Sequence, residues 1–238
     1  MLYSLMKHVV VGPVVKRLFR TDVRGAELIP TKGPVIFASN HLSVIDSILL
    51  PLVVKRPVYF LAKSEYFQGK TLKGRATAWF MRNVGQLPMD RSGGKASEAS
   101  LNTGIEVLDS GRCLGIYPEG TRSPDARLYR GRTGIARMIL SAKEQVKVVP
   151  VVMVDTEKIM PIGERPKPGR CGIVFGAPLD YERYRGMQAD RFILRAITDD
   201  IMSEIAALSE QEYVDVYAST LRKQLDANRA ALQSARRG

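Results

Sequence analysis

The chain of 238 residues is long enough for one large domain with a substantial core. It carries 36 Lys and Arg against 24 Asp and Glu, a net charge of +12, which favours polyanionic partners such as nucleic acid, an anionic bilayer or phosphorylated substrates; a merely soluble basic surface is the alternative. With 2 cysteines and 2 histidines we expect neither a zinc site nor a disulfide framework, and this cysteine usage suits a reducing cytosolic setting.

Residues 1–20 mix apolar residues with four basic ones, which are Lys7, Lys16, Arg17 and Arg20. The charges and Pro13 interrupt the segment, whereas a membrane span needs about 20 mostly apolar residues. No secretory signal is expected, because the charges follow the apolar stretch. The apolar positions go most of the way round a helical wheel, so we interpret the segment as interfacial, in contact with lipid and anionic headgroups. The alternative is a helix packed on the domain's own core.

Short apolar runs bounded by turn residues alternate with amphipathic segments along the rest of the chain. The runs predict strands at 21–29, Val35–Ser39, 58–62, Gln86–Met89, 113–117, Lys147–Val154 and 171–175. Helices are predicted at 43–54, 73–84, 96–108, 133–142, 190–208 and 211–235. Within the second helix, Trp79 and Phe80 are interpreted as core residues and not as cofactor contacts. The last helix is largely polar and is interpreted as a solvated accessory segment.

Strands that alternate with helices predict an α/β fold, with a single domain whose largely parallel mixed sheet is flanked by helices. Functional sites in such folds lie beyond the carboxyl ends of the strands. We divide the chain into an N-terminal membrane-associating segment (1–20), the main domain (21–210) and a C-terminal polar helix with a basic tail (211–238).

A histidine and an acid follow the strand Val35–Ser39, in the sequence Asn40-His41-Leu42-Ser43-Val44-Ile45-Asp46. In a continuous helix His41 and Asp46 would lie about 140° apart on the wheel, so their pairing needs a loop or a helix start between them. Asn40 and Ser43 favour turns, and Ser43 could cap the helix that carries Asp46. Asp46 could then accept the Nδ1 proton of His41 and leave Nε2 as a general base. The alternative is a histidine that merely caps a helix.

A second motif follows the run 113–117 and has the composition of an anion site, Tyr117-Pro118-Glu119-Gly120-Thr121-Arg122-Ser123. It offers backbone amides beside a glycine, a hydroxyl and a guanidinium whose fork matches phosphate. Two more basic residues follow other strands and could converge on the same anion, although each taken singly reads as a surface charge. The candidate binding residues are therefore Lys63, Arg91, Glu119, Gly120, Thr121 and Arg122. We expect the two motifs to meet in space.

Other chemistries lack their motifs. No Gly-x-Ser-x-Gly sequence supplies a nucleophile, and Cys113 and Cys171 have no activating neighbours in sequence. Gly93-Gly94-Lys95-Ala96 is not a P-loop, because Met89 stands where the first glycine is required. The more economical mechanism has His41 take the proton of a substrate hydroxyl, whose oxygen attacks an activated carbonyl. Histidine suits this role because its ordinary pKa of about 6.5 lies close to working pH.

The motifs His41-Leu42-Ser43-Val44-Ile45-Asp46 and Glu119-Gly120-Thr121-Arg122-Ser123 resemble those of the glycerolipid acyltransferase family, most closely the bacterial 1-acylglycerol-3-phosphate acyltransferases. The similarity spans residues 22–180. Asp90-Arg91 resembles the second block of the family and Val149-Pro150-Val151 the fourth. Two departures are that Tyr129-Arg130-Gly131-Arg132 displaces the glycine of the family's Phe-Lys-x-Gly and that Tyr117 replaces a common phenylalanine.

The resemblance implies a glycerolipid-acyltransferase-like fold and transfer of a fatty acyl group to the sn-2 hydroxyl of 1-acylglycerol 3-phosphate, which gives phosphatidic acid. The donor would be acyl-CoA or acyl carrier protein, with no metal or bound cofactor. His41 would be the base and Asp46 its orienting partner. The phosphate would be held by Arg122 with Glu119, Gly120 and Thr121, assisted by Arg91 and Lys63. The protein would act at an anionic membrane surface, peripheral or monotopic on the cytoplasmic face.

Three alternatives stay open. The acceptor could be another lysophospholipid or glycerol phosphate, because such enzymes would share every catalytic residue. Water could replace the acceptor, which would make the protein a hydrolase. The chain could instead be a basic membrane-binding module without catalysis. Nucleic acid is not expected as a partner, because no docking motif and no aromatics interleaved with the basic residues are found.

Overall fold

Strand β2 (Val35–Ser39) forms the centre of the fold, and all of its residues are buried. The structure is a computed structural model that describes residues 5–69, 71–89 and 95–235. The other strands are β1 (Phe19–Arg24), β3 (Val58–Lys63), β4 (Gln86–Met89), β5 (Cys113–Ile116), β6 (Leu128–Tyr129), β7 (Lys147–Val154), β8 (Gly169–Phe175), β9 (Leu179–Asp180) and β10 (Tyr213–Val214).

Helices connect most of the strands. They are α1 (Gly12–Leu18), which continues a π-helical stretch (Met6–Val11), α2 (Asp46–Val53), α3 (Leu72–Asn83), α4 (Lys95–Asp109), α5 (Gly134–Ser141), α6 (Thr156–Ile159), α7 (Arg191–Leu208) and α8 (Ala218–Ala235). Short 3-10 turns occupy Ala26–Leu28, Ser64–Phe67 and Glu182–Tyr184.

The described strands form one sheet of 8 strands and a separate pair, β10 with β6. The order in the large sheet is β1-β8-β7-β2-β5-β3-β4, and β9 lies beside β7. Neighbours run parallel except where β7 meets β8 and β9. The predicted α/β fold with a largely parallel mixed sheet is therefore confirmed.

Both faces of the sheet are covered by helices, because side chains of a strand alternate between its two faces. Ile36 and Ala38 join a core with residues of α4, α5 and α7. Val35 and Phe37 point the other way, into a core with residues of α1 and α2. This explains why β2 reads as a continuous apolar run and not as an alternating one.

The observed elements differ from the predicted ones in informative places. Strand β1 ends at Arg24 and not at residue 29, because Gly25 adopts a left-handed conformation with φ of 73° and opens a 3-10 turn. Strands β6, β9 and β10 and helix α6 were not foreseen, since they have only 2 to 4 residues each. Phe80 is half-buried, but Trp79 is 52% exposed, so its assignment to the core is wrong.

The N-terminal segment divides its side chains between the protein and the outside. Val15 and Phe19 are buried in the core beneath α2. Four other apolar side chains are between 41% and 62% exposed, namely Leu5, Val9, Val14 and Leu18. Packing on the domain's own core is thus confirmed for one side of the segment. Among the described residues no helix has both the length and the apolarity that a bilayer crossing requires.

Candidate functional site

The carboxyl ends of β2, β3 and β5 lie at one edge of the sheet, because these strands run parallel. His41 lies just beyond β2, and Tyr117 comes directly after β5. Lys63 is the last residue of β3 and so ends at the same edge. The side chain of Lys63 and the whole of Asp90-Arg91 lie outside the described residues, so their binding roles stay predictions.

His41 and Asp46 are paired, which the sequence allowed provided that a loop or a helix start lies between them. His41 Nδ1 lies 2.9 Å from Asp46 Oδ2. The residues between them form an irregular loop and not a helix, because α2 begins only at Asp46. The Asp46 side chain is fully buried, whereas that of His41 is 15% exposed. The imidazole of His41 is therefore partly accessible at the carboxyl ends of the strands, whereas the carboxylate of Asp46 is shielded from water.

The carboxylate of Asp46 shapes the loop that brings the histidine to it. Asp46 Oδ2 also accepts hydrogen bonds from the backbone amides of Leu42 and Ser43, each at 2.8 Å. The Ser43 hydroxyl donates instead to the Met160 carbonyl at 2.7 Å, and no side chain caps the start of α2. The prediction that Ser43 caps this helix is wrong, because the helix begins at Asp46 with Ile45 at its N-cap position and the Ser43 hydroxyl is engaged elsewhere.

The ring of His41 is also held from the side by Tyr117. The two rings stack with centroids 3.7 Å apart and an interplanar angle of 8°. The Tyr117 hydroxyl forms a 2.8 Å hydrogen bond with Ser47 Oγ, and its ring stacks on Phe60 at 5.3 Å. Burial and then the nearby charge of Asp46 raise the pKa of Tyr117 well above its ordinary value, so the phenol stays neutral.

The second motif is bonded to the backbone of His41 on both sides. Glu119 Oε1 accepts from the His41 amide at 3.2 Å, and the Ser123 amide donates to the His41 carbonyl at 2.7 Å. Glu119 Oε2 accepts from the Tyr129 amide at 3.0 Å. The expectation that the two motifs meet in space is confirmed. Glu119 is only 1% exposed, and burial raises its pKa to about 8 despite the two amide hydrogen bonds, which lower it.

Gly120 makes a tight turn in the middle of the second motif. Its φ is 73°, and its amide donates to the Tyr117 carbonyl at 2.9 Å. A Cβ at this position would lie 2.9 Å from the Arg132 side chain. Glycine is favoured here by the left-handed backbone, and a larger residue would also displace the Arg132 side chain. Beyond this turn the chain returns to the loop of His41, where the Ser123 amide bonds to the His41 carbonyl.

Asn40 was considered for turn formation alone, but it has a further structural task. Its side chain pairs with the backbone of Met153 in β7, donating to the carbonyl at 3.0 Å and accepting from the amide at 2.7 Å. It also donates to Gln211 Oε1 at 2.6 Å. A buried amide that imitates a backbone strand in this way fixes the end of β2 just before His41. No local pattern points to this role, since Met153 is 113 residues away.

Arg122 and Thr121 lie at the site, and Thr121 contacts a residue that the sequence did not single out. Arg222, in the C-terminal helix α8, donates from Nη1 to Thr121 Oγ1 at 3.0 Å. Burial and then the positive charge of Arg222 lower the pKa of Arg122, while Tyr66 and Asp46 act in the opposite direction. Arg122 therefore lies close enough to both Arg222 and Asp46 for their charges to act on it.

The C-terminal segment belongs to the wall of the site, so its interpretation as a solvated accessory segment is wrong for residues 211–222. Strand β10 pairs with β6, which begins five residues after the end of the second motif. Gln211 donates to the Ala126 carbonyl and accepts from Asn40. Ala218 is fully buried, and Arg132 donates to Ser219 Oγ at 2.8 Å. Lys223 and Gln224 are exposed, which fits the prediction for the following turn. The division of the chain into three segments stays a prediction.

Neither cysteine lies in an environment that would activate it. Both are buried, and burial raises the pKa of Cys113 to about 11, with a rise for Cys171 as well. Such thiols are poor nucleophiles, because the thiolate is the reactive form. Within the described part of the chain, no group of three or more His, Cys, Asp or Glu residues could hold a metal ion.

Comparison with known proteins shows what the chain is similar to. A family model described as "Acyltransferase" matches residues 20–154, which is more than half of the chain. A chloroplastic 1-acyl-sn-glycerol-3-phosphate acyltransferase from Brassica napus is 32% identical over 146 residues, 61% of this chain and 40% of the relative. The 1-acyl-sn-glycerol-3-phosphate acyltransferase of Bacillus subtilis is 31% identical over 118 residues, 49% of this chain and 56% of the relative.

A solved structure shares the fold. The crystal structure of the 1-acyl-sn-glycerophosphate acyltransferase PlsC from Thermotoga maritima aligns with a TM-score of 0.62 and 22% identity, covering 87% of this chain and 84% of that one. At this identity the likeness supports the fold alone. The chain spans between about two fifths and three fifths of the length of the two sequence relatives, with 40% and 56% covered.

Proposed function

The chain belongs to the acyltransferase family, and from this premise we propose that it transfers a fatty acyl group to the sn-2 hydroxyl of 1-acylglycerol 3-phosphate, giving phosphatidic acid. The donor is a thioester, acyl-CoA or acyl carrier protein. The observation that carries the proposal is the His41–Asp46 pair at 2.9 Å, whose backbone is bonded directly to the Glu119–Ser123 loop. A base and an anion site are thereby held next to each other.

In the proposed mechanism Asp46 holds the Nδ1 proton of His41, so that Nε2 acts as the base. Nε2 takes the proton of the sn-2 hydroxyl as its oxygen attacks the thioester carbonyl. The negative charge of Asp46 stabilises the imidazolium that forms. The tetrahedral intermediate then collapses, the C–S bond breaks, and the imidazolium returns the proton to the departing thiolate. The thioester itself supplies the activation, so the reaction needs no metal or resident cofactor.

Stacking and burial prepare the ring for this proton transfer. Tyr117 covers one face of the imidazole, and Asp46 fixes its Nδ1 edge. These two contacts together leave the ring little rotational freedom before substrate arrives. Positioning of this kind lowers the barrier because the entropy of orientation is lost during folding and not during the reaction.

The residues of the second motif have two different roles, binding of the phosphate and positioning of the His41 loop. Arg122, with the Gly120 turn and the Thr121 hydroxyl, binds the acceptor's phosphate through charge-assisted hydrogen bonds. Glu119 is a positioning residue, because its two oxygens already accept from the amides of His41 and Tyr129. Lys63 and Arg91 complete the anion site in this proposal.

We place the reaction at an anionic membrane surface, on the cytoplasmic face. The supporting observation is a set of exposed apolar side chains close to basic ones. Val9, Val14 and Leu18 are 62%, 56% and 41% exposed beside the exposed Arg17 and Arg20. In α3, Leu72 and Trp79 are 85% and 52% exposed. Amphipathic segments of this composition bind where headgroups meet acyl chains.

The experiment that tests the proposal is an acceptor and donor panel. The purified full chain is incubated with oleoyl-CoA, or with oleoyl-loaded acyl carrier protein, and in each case with lysophosphatidic acid, with other lysophospholipids or with no acceptor. The products are identified by mass spectrometry. We expect phosphatidic acid. Transfer only to other lysophospholipids would overturn the proposed acceptor, loss of thioester without any acceptor would indicate a hydrolase, and no turnover with either donor would favour a membrane-binding module.

A further inference from the structure

Arg222 reaches the anion site from a helix that follows the whole α/β domain. Helix α8 is anchored at its first turn by buried Ala218 and by the bond from Arg132 to Ser219. Residues four apart lie on the same face of a helix, so the burial of Ala218 turns Arg222 toward the domain. Its guanidinium donates to Thr121 Oγ1 at 3.0 Å, across a sequence separation of 101 residues.

Within the part of the chain that the structure describes, the charge of Arg222 has no carboxylate partner, in contrast to two arginines of the preceding loop. Arg127 and Arg130 each have a carboxylate within ion-pair distance, Asp125 for the first and Asp215 for the second. Among the described side chains, no ion pair joins a carboxylate to Arg122 or Arg222. Both are half-buried, and the two positive charges interact unfavourably. A bound anion would turn this repulsion into attraction.

The hydrogen bond to Thr121 leaves Arg222 able to bind such an anion. A guanidinium has five N–H donors, and the Thr121 hydroxyl takes one of them. The hydroxyl therefore fixes the orientation of the planar group, and its remaining edge can form paired hydrogen bonds to phosphate oxygens.

We propose that Arg222 binds the acceptor's phosphate together with Arg122, so that the C-terminal helix completes the acceptor site. This inference rests on the proposed function, since it assumes a phosphorylated acceptor. Two arginines match a phosphate monoester, which carries more than one negative charge near neutral pH. They match less well the single charge of a phosphodiester whose other substituent is a choline or ethanolamine. Arg222 is thus a specificity residue that selects lysophosphatidic acid over other lysophospholipids.

The test compares steady-state kinetics of the full chain with Arg222→Gln, Arg222→Lys and the matched control Lys223→Gln. Lys223 is the next residue of the same helix and is exposed. With oleoyl-CoA saturating, Arg222→Gln is expected to raise KM for lysophosphatidic acid by about tenfold or more with kcat little changed, the loss typical of a hydrogen bond to a charged group. Arg222→Lys keeps the positive charge but loses the forked guanidinium, so its KM is expected to lie between those of the wild type and Arg222→Gln. Lys223→Gln is expected to have the KM of the wild type.

Specificity gives a second readout. The ratio of kcat/KM for lysophosphatidic acid to that for lysophosphatidylcholine should fall in Arg222→Gln and stay constant in Lys223→Gln. An unchanged KM and ratio in Arg222→Gln, or an equal effect in Lys223→Gln, would overturn the inference while wild-type transfer leaves the proposed function intact. If thermal melting shows that Arg222→Gln is poorly folded, Arg222→Lys decides: a raised KM supports the inference and a wild-type KM refutes it. No wild-type transfer to lysophosphatidic acid would refute the proposed function itself.

Discussion

The imidazole of His41 lies flat on the ring of Tyr117, with centroids 3.7 Å apart and planes 8° from parallel. Tyr117 comes from the end of β5 and His41 from the loop after β2, so the contact joins the carboxyl ends of two adjacent parallel strands. The stack and the bond to Asp46 restrain the ring in two different directions. The geometry of the base therefore depends on both motifs.

This stack predicts different results for two substitutions of Tyr117. Tyr117→Phe keeps the ring and loses only the bond to Ser47, so it should cost about 1 kcal/mol of stability and leave kcat within about twofold of wild type. Tyr117→Leu removes the flat surface and should lower kcat by about 10- to 100-fold, because small displacements of a base are costly. Acyl transfer at saturating substrate and urea unfolding check both values. Equal kcat in the two variants would contradict a positioning role for the ring.

The His41–Asp46 pair predicts a second set of variants. His41→Ala should lower acyl transfer by at least about 100-fold with folding retained, the lower end for loss of a general base. Asp46→Asn keeps an acceptor for the amides of Leu42 and Ser43 but removes the charge that stabilises the imidazolium, so a similar loss is expected. His8, the other histidine of the chain, is exposed, and His8→Ala serves as the matched control. Full activity in His41→Ala would exclude the proposed mechanism.

The pairing of His41 with Asp46 could be foreseen because its determinants are local. A buried strand, turn-forming residues and an acid within one loop restrict the backbone to few arrangements. The prediction that Ser43 caps α2 is wrong because its hydroxyl donates to the Met160 carbonyl, and local sequence does not show a partner 117 residues away. The assignment of Trp79 to the core is wrong because helical spacing identifies a face of α3 but not what that face contacts.

The contacts that sequence could not predict join distant parts of the chain. Asn40 meets Gln211 across 171 residues, and Thr121 meets Arg222 across 101. Neither Gln211 nor Arg222 stands in a motif, and a polar helix gives no apolar stripe that would show where it docks. Such contacts depend on the pairing of β10 with β6. Strand β10 has only 2 residues, which is too short for a sequence pattern to reveal it.

Glu119 predicts a dependence of stability on pH. Burial raises its pKa from 4.5 to about 8, so the folded state binds this proton more tightly than the unfolded state. The resulting stabilisation is complete below about pH 4.5 and is lost as the pH rises through about 8. Since one pKa unit corresponds to about 1.4 kcal/mol, the loss should amount to a few kcal/mol.

Comparison with Glu119→Gln isolates this contribution, because the amide does not titrate. Urea unfolding at pH 5, 6, 7 and 8 should show the wild type most favoured over the variant at pH 5 and progressively less so toward pH 8. The exposed Glu98 provides the control, since Glu98→Gln should differ from wild type by a constant amount. A difference between wild type and Glu119→Gln that does not change with pH would show that the buried carboxyl titrates normally.

The exposed face of α3 predicts direct contact with lipid that Trp79, the single tryptophan of the chain, can report. Leu72 and Trp79 are seven residues apart and so lie on one face, with exposed Arg75 and Arg82 beside it. Vesicles that contain anionic lipid should shift the tryptophan emission to shorter wavelength, brominated acyl chains should quench it, and high salt should weaken both effects.

The double variant Arg75→Gln/Arg82→Gln should bind these vesicles less tightly than the control Arg137→Gln/Arg191→Gln, which removes two exposed arginines elsewhere. Unchanged emission when sedimentation shows bound protein would mean that α3 faces away from the bilayer and that the N-terminal segment binds alone.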